Sequence, residues 1–149
     1  MIEPLELSFP VACPRDHAFE VWTTRFAAWW PKDHSTSGQP DTSVVLEPNL
    51  GGRIYERTAQ GDEIDWGEIT VWEPPERLGY LWHIGRDRDG ATDVLLTFVA
   101  LDDGSTRIDI HHAGWDRLGA EGRDWRDRNT NGWGSLIPHF VAAATDPAI

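Results

Sequence analysis

The chain has 149 residues, and its 25 acidic and 13 basic side chains give a formal net charge of −12 at pH 7. This length predicts one domain with one core, and the negative charge argues against nucleic acids and anionic membranes as partners. The single cysteine, Cys13, excludes an internal disulfide and a Cys-x-x-Cys metal site.

The N-terminal segment MIEPLELSFP has neither the basic nor the apolar part of a signal peptide. No later apolar run approaches the roughly 18 residues of a membrane span. We therefore expect a cytoplasmic protein without membrane insertion. Only Lys32 among the basic residues is a lysine, a bias typical of GC-rich bacterial genomes. Residues 3–12 alternate apolar and polar side chains, which predicts a half-buried strand.

Residues 14–30 contain aromatic side chains at spacings of three and four, which predicts one helix or two short helices with an aromatic face. Pro31 ends this segment. Residues 31–43 are polar and rich in Ser, Gly and Pro, which predicts a long surface loop. We expect this loop to be mobile and to border the entrance of any cavity, because it joins the aromatic helices to the following strands.

From residue 44 onward the pattern changes to short strands separated by turns. The predicted strands are 44–47, 53–58, 63–72, 78–84, 93–101 and 106–113. Their short connections indicate an antiparallel meander. Residues 115–131 are predicted to be an exposed helical lead-in to a C-terminal helix. That helix is predicted from an apolar stripe at helical spacing: Trp133, Leu136, Ile137, Phe140, Val141 and Ala144.

Several segments of the chain resemble one known family. They include AFEVWTTRFAAWWP, LEPNLGGRIYE, WGEITVWEPPERLGYLW, GSTRIDIHHAGW and NGWGSLIPHF. The most specific pieces are Pro48 with Gly51-Gly52, Gly67 followed by Glu73-Pro74-Pro75 and Leu78-x-x-x-Trp82, and the run from Thr106 to Gly114. In this order and spacing they resemble the Aha-type branch of the START-like (SRPBCC) superfamily, which is named for an activator of the heat-shock-protein-90 ATPase. The resemblance covers about residues 5–144.

The resemblance implies an α+β helix-grip fold. In that fold a curved antiparallel sheet of six or seven strands surrounds a long C-terminal helix, and two short helices follow the first strand. It also implies a deep, mostly apolar cavity between the sheet and the C-terminal helix. Members of the superfamily bind lipids, sterols or plant hormones, cyclise polyketides or act as cochaperones, so the fold does not specify one activity.

Nine tryptophans are too many, in a chain of this polarity, to serve only as surface anchors. Flat, rigid rings with polar tips suit the walls of a hydrophobic binding cavity, whereas simple core filling is the alternative for each ring. The candidate cavity residues are Trp30, Trp66, Tyr80, Trp82, His112, Trp133, Ile137 and Phe140.

Titratable side chains on the predicted strands are candidate acids or bases. By strand parity Glu68 lies on the face of Trp66 and Trp72. If that face lines the cavity, Glu68 is a carboxyl group with a raised pKa among apolar walls; if the opposite face does, Glu68 is solvated. His112 faces inward by parity, and its neighbour His111 faces outward. No spacing of His, Asp, Glu or Cys predicts a metal site.

The leading hypothesis is a protein that binds a hydrophobic small molecule without a metal or other cofactor; whether it has a protein partner is left open. The alternative is a cyclase- or lyase-type enzyme that uses the same cavity, with Glu68, His83 or His112 as acid or base. A cochaperone-like interaction module is a weaker third possibility. Neither a nucleophile elbow nor a phosphate-binding glycine loop is present, which argues against hydrolases, kinases and dehydrogenases.

Overall fold

The computed structural model describes residues 1–149. The strands are β1 (Leu5–Val11), β2 (Ser43–Leu46), β3 (Arg53–Arg57), β4 (Glu63–Glu73), β5 (Arg77–Trp82), β6 (Thr92–Ala100) and β7 (Thr106–Ala113). The α-helices are α1 (Arg15–Trp22), α2 (Phe26–Trp29) and α3 (Gly122–Ala144), and short 3-10 turns cover Lys32–His34, Arg88–Gly90 and Trp115–Glu121.

All seven strands form one antiparallel sheet in the order β1-β7-β6-β5-β4-β3-β2. The chain thus runs as a meander from β2 to β7, and β1 joins the open edge of β7. The predicted α+β helix-grip fold is confirmed, with seven strands, a long C-terminal helix and two short helices after β1. None of the helices combines the length and the apolar composition that a membrane span requires.

Helix α3 packs against the sheet through the predicted apolar stripe. Trp133, Leu136 and Phe140 are buried, whereas Ile137 is only partly buried. The Phe140 ring lies 4.7 Å from that of Trp22 in α1, so this contact joins the two helices. The segment predicted as an exposed helical lead-in is helical and mostly exposed, consisting of a 3-10 turn and the first turns of α3, but its first residue, Trp115, is fully buried.

Two bulges in β4 overturn the strand-parity argument for Glu68. The register shifts once against β3, so that Trp66 has no partner there, and again against β5 near Thr70. Because each extra residue changes which side chains share a face, Trp66 is buried while Glu68 reaches the outer surface. Gly67 marks the first bulge: a Cβ there would lie 2.1 Å from the Leu81 carbonyl oxygen.

The polar loop after α2 is anchored to the sheet through the side chain of Glu56 on β3. Ser35 donates a hydrogen bond to the buried Glu56 carboxylate at 2.6 Å, and Ser37 donates a second. The Thr36 amide and hydroxyl donate at 2.8 and 2.9 Å. Burial opposes the ionisation of Glu56, but these hydrogen bonds outweigh it and lower its pKa to about 2.

Candidate functional site: an aromatic cavity under helix α3

A cavity of about 150 Å³ lies between α2, β5 and the N-terminal half of α3. Ten of its 14 lining residues are hydrophobic. The lining consists of Trp22, Phe26, Trp29, Trp30, His34, Tyr80, Trp82, Ile84, Trp125, Arg128, Asn129, Gly132, Trp133 and Leu136. The aromatic helices, β5 and α3 thus border one partly open space with walls of indole and phenyl rings.

Trp30 contacts aromatic rings on three elements around the cavity. Its ring stacks on Phe26 with centroids 5.1 Å apart and lies 5.9 Å from Trp82 on β5. Behind it, the buried Trp66 ring lies 5.1 Å away. Offset and edge-on aromatic pairs each contribute about 0.5–1.5 kcal/mol beyond their buried area, so these ring contacts stabilise the cavity walls.

The mouth of the cavity is more polar and is positively charged. Trp125 stands there, with the Arg86 guanidinium carbon 4.8 Å and that of Arg128 4.6 Å from its ring centroid. Arg86 donates to the backbone carbonyls of Trp82 and Gly90 and has no carboxylate partner. Burial lowers the pKa of Arg86. Two guanidinium groups therefore lie against Trp125, and one of them, that of Arg128, lines the cavity of this otherwise strongly acidic chain.

The polar atoms of the inner walls fall into two groups. Trp29 Nε1 donates to the Val21 carbonyl at 3.0 Å, and Trp133 Nε1 donates to His112 Nδ1 at 3.1 Å. By contrast, the buried Nε1 atoms of Trp22 and Trp30 have no hydrogen-bond acceptor. Such orphaned donors are uncommon in folded proteins, because each costs about 1–3 kcal/mol.

Tyr80 brings a hydroxyl group to the same wall. Burial raises the pKa of Tyr80. The nearby N–H of Trp22 lowers this pKa by a smaller amount, although it does not form a hydrogen bond with acceptable geometry. The phenol therefore remains protonated across the physiological pH range. The inner walls offer N–H and O–H donors with no carboxylate among them.

His112 lies behind the cavity wall in a complete hydrogen-bond network. Because its Nδ1 accepts from Trp133, its Nε2 carries the proton and donates to the Thr92 hydroxyl at 2.6 Å, which donates onward to the Trp82 carbonyl. Trp115 donates to the His112 carbonyl. Burial, reinforced by the charges of Arg86 and His111, lowers the His112 pKa to about 3. This imidazole is neutral and sealed from the cavity.

Four of the eight predicted cavity residues line the cavity: Trp30, Tyr80, Trp82 and Trp133. The other four lie outside its lining. Trp66 packs behind Trp30 and donates to the Thr36 hydroxyl. Phe140 packs behind Trp22 and Trp29, and Ile137 is partly buried against the core. The fourth is His112, held in its own network.

The three predicted acid or base candidates do not face the cavity. Glu68 forms an exposed ion pair with Arg88 at 3.0 Å, and His83 Nδ1 lies 3.1 Å from the Arg86 carbonyl oxygen. The imidazole that does line the cavity is that of His34, whose Nδ1 lies 2.9 Å from the Asp33 carboxylate. No group of three potential metal-ligating side chains is present.

Half of the ten lining residues that were absent from the predicted set lie on α3. Trp125, Asn129 and Gly132 line the cavity together with Trp133. Asn129 follows Trp125 by four residues, Gly132 follows Asn129 by three and Trp133 follows Gly132 by one. These residues extend the stripe of Trp133 towards the N-terminus of the helix, but the many charged residues of this segment obscure the pattern. Extending the helical spacing from Trp133 to Trp125 is the signal that identifies them.

Comparison with known proteins gives a family match over most of the chain. The profile of the family described as Activator of Hsp90 ATPase homolog 1-like protein matches residues 12–145. No protein of curated function matches the chain significantly.

Solved structures show both the fold and closer relatives. Txn09, an anthrahydroquino-γ-pyrone synthase complexed with SUM, is 36% identical, with a TM-score of 0.59 over 83% of this chain and 84% of that one. The self-sacrificing resistance protein CalC from Micromonospora echinospora is 29% identical, with a TM-score of 0.70 over 95% and 94%. The Aha1 dimer from Colwellia psychrerythraea, 12% identical with a TM-score of 0.69 over 96% of both chains, shares the fold.

Proposed function

The chain belongs to the Aha1-like family of the START-like superfamily, and on that premise we propose that it binds a hydrophobic aromatic small molecule in the cavity under α3. The observation that supports this most is the cavity itself: an apolar space with rigid aromatic walls and a charged mouth. A single apolar cavity with a few convergent polar groups is the usual form of a small-molecule site.

The size of the cavity indicates how much of the ligand it encloses. Apolar cavities of about 150 Å³ hold one benzene-sized molecule. We propose that one aromatic ring enters between Trp30, Trp82 and Trp133 and that the remainder of the ligand extends past Trp125. The similarity to a synthase named for an anthrahydroquino-γ-pyrone supports an aromatic, oxygen-bearing ligand.

Two glycines of α3 offer a matched test. Gly132 lines the cavity, Gly134 does not, and a Cβ at either position would meet no other atom within 4 Å. Gly132→Leu therefore fills the cavity mouth, whereas Gly134→Leu adds the same side chain to the exposed face of the helix. Both changes remove a helical glycine, so neither lowers the stability of α3.

The test is a titration of intrinsic tryptophan fluorescence with a panel of aromatic hydrocarbons and ketones. We expect saturable binding by the wild type and by Gly134→Leu, with at least a tenfold weaker affinity in Gly132→Leu. The proposal fails if no compound gives a saturable change, or if Gly132→Leu binds as tightly as Gly134→Leu.

A cyclase- or lyase-type enzyme using the same cavity is the second candidate, and two observations favour it. One is the 36% identity with a synthase. The other is His34, a titratable side chain at the mouth whose partner, Asp33, would orient the ring for proton transfer. If the protein is an enzyme of this kind, His34→Gln abolishes turnover but leaves binding intact. Equal turnover by the variant and the wild type would remove His34 from the mechanism.

A cochaperone-like docking function has less support. The exposed large apolar side chains are Met1, Leu50 and Leu101, which lie in three separate segments of the chain. Protein-docking sites usually present a contiguous apolar patch. The likeness to the Aha1 dimer concerns the fold.

A further inference from the structure

The aromatic cavity is bordered by positive charge that no carboxylate of the protein neutralises. Arg128 is the lining side chain with a permanent charge, and no Asp or Glu lines the cavity. Its guanidinium carbon and that of Arg86 lie 4.6 and 4.8 Å from the centroid of the same Trp125 ring. Neither arginine takes part in an ion pair. Two cations therefore share one ring without a counter-ion, in a chain whose net charge is −12.

The other polar side chains of the lining do not distinguish between ligands of different charge. Tyr80, Asn129 and His34 can each donate and accept a hydrogen bond. Asp33 lies 2.9 Å from His34 Nδ1 but does not itself line the cavity. Arg128 therefore decides which sign of charge the cavity favours, and the charge of Arg86 adds to it.

Arg128 is well placed to bind a substituent of a ring that occupies the cavity. It lies on α3 one turn before Gly132, so the two residues share a face of the helix, and both line the cavity. The Arg128 side chain is exposed, and its guanidinium group contacts the Trp125 ring. A guanidinium group can bind a carboxylate through two parallel N–H···O hydrogen bonds, and it is more weakly hydrated than an ammonium group.

We infer that the cavity selects an aromatic carboxylate, with the ring among the tryptophans and the carboxylate bound by Arg128. This inference rests on the proposed function, since it assigns the ligand class of the same cavity. It makes Arg128 a specificity-determining residue. It also predicts that Arg128 favours an anion although the chain as a whole is strongly negative.

Three probes of the same planar shape separate charge from apolar contact. Benzoate is an anion, nitrobenzene is neutral, and benzamidinium is a cation. Their affinities are measured by NMR titration at pH 7 and constant low ionic strength, so that salt does not screen the interaction. The measured quantity is the ratio of each charged probe's affinity to the affinity for nitrobenzene, compared between variant and wild type. This comparison cancels the different hydration of the probes in water.

Arg128→Gln and the control Arg123→Gln complete the experiment. Arg123 is exposed on the same helix, forms no ion pair and does not line the cavity, so both variants lose one positive charge from α3. We expect the ratio of benzoate to nitrobenzene to fall about three- to tenfold in Arg128→Gln, as loss of a partly exposed, charge-assisted hydrogen bond predicts. In Arg123→Gln it should change by less than about twofold, because the charge is distant and screened.

The ratio of benzamidinium to nitrobenzene should rise in Arg128→Gln, since the variant removes a repulsion. The inference is overturned if the benzoate ratio is unchanged in Arg128→Gln, if it falls equally in both variants, or if the benzamidinium ratio falls with it. In each of these cases saturable binding of nitrobenzene keeps the proposed function. Absence of saturable binding by all three probes ends both.

Discussion

Trp133 joins two tryptophan-rich regions that differ in how their polar atoms are satisfied. On one side is the His112 network, defined by His112, Thr92, Trp115 and the Trp133 indole, in which each polar side-chain atom has a partner. On the other side is the cavity, where the N–H groups of Trp22 and Trp30 have none. The same residue type thus has a satisfied N–H in the closed network and, at Trp22 and Trp30, an unsatisfied N–H in the wall of the cavity.

The largest stability loss is expected in the His112 network. Trp115 is fully buried, with its ring 4.3 Å from that of His112. Trp115→Ala should lower the free energy of unfolding by about 3–5 kcal/mol, measured by urea denaturation, because it leaves a large cavity in a closed region. A loss below about 1 kcal/mol would show that this region is not tightly packed.

His112 should make stability depend on pH. Its pKa is lowered to about 3 in the folded protein, so the unfolded state binds more protons between pH 6.5 and that value. The contribution of His112 to the free energy of unfolding is complete above pH 6.5. This contribution declines as the pH falls, by about 2 kcal/mol between pH 7.5 and pH 5. His112→Gln should remove this part of the slope in urea denaturation, whereas the exposed His139→Gln should retain it. Equal slopes in the two variants would contradict a buried, neutral His112.

Glu56 should stabilise the loop that follows α2. Glu56→Gln removes the negative charge that accepts hydrogen bonds from Ser35, Thr36 and Ser37. We expect it to lower the free energy of unfolding by about 1–2 kcal/mol at pH 7. Since the Glu56 pKa is lowered to about 2, this contribution is complete above about pH 4.5 and declines as the pH falls towards 2. Amide hydrogen exchange at Thr36 should accelerate in this variant but not in the exposed Glu76→Gln. Unchanged exchange would show that the loop is held by other contacts.

The smallest stability change is expected at the cavity wall. Trp82 is 5% exposed and borders the cavity, so Trp82→Phe keeps much of the volume and only enlarges an existing space. We expect the free energy of unfolding to fall by less than about 1.5 kcal/mol and the ligand affinity to change clearly. A large loss of stability with no effect on binding would indicate that Trp82 only fills the core.

Regular periodicity accounts for what the sequence predicted well. Alternation and helical spacing located the strands and the C-terminal helix, and convergence of the elements brought Trp30, Tyr80, Trp82 and Trp133 to one cavity. The errors arise where the period is broken. The bulges of β4 move Glu68 to the outer surface, and neither bulge is visible in a pattern of apolar and polar residues.

Polar partners were the other limit of prediction. His112 faces inward as parity indicated, but only the structure shows that Trp133 lies between it and the cavity. Likewise, a buried Glu56 that anchors the loop at Ser35–Ser37 depends on contacts between residues about 20 positions apart.

Intermolecular NOEs from a bound aromatic hydrocarbon to assigned ring protons test the central claim most directly, because they locate the ligand relative to both tryptophan regions. If the cavity is the binding site, the probe protons show NOEs to Trp30, Trp82 and Trp133, and none to Trp115. NOEs confined to surface side chains, or to Trp115, would contradict the account.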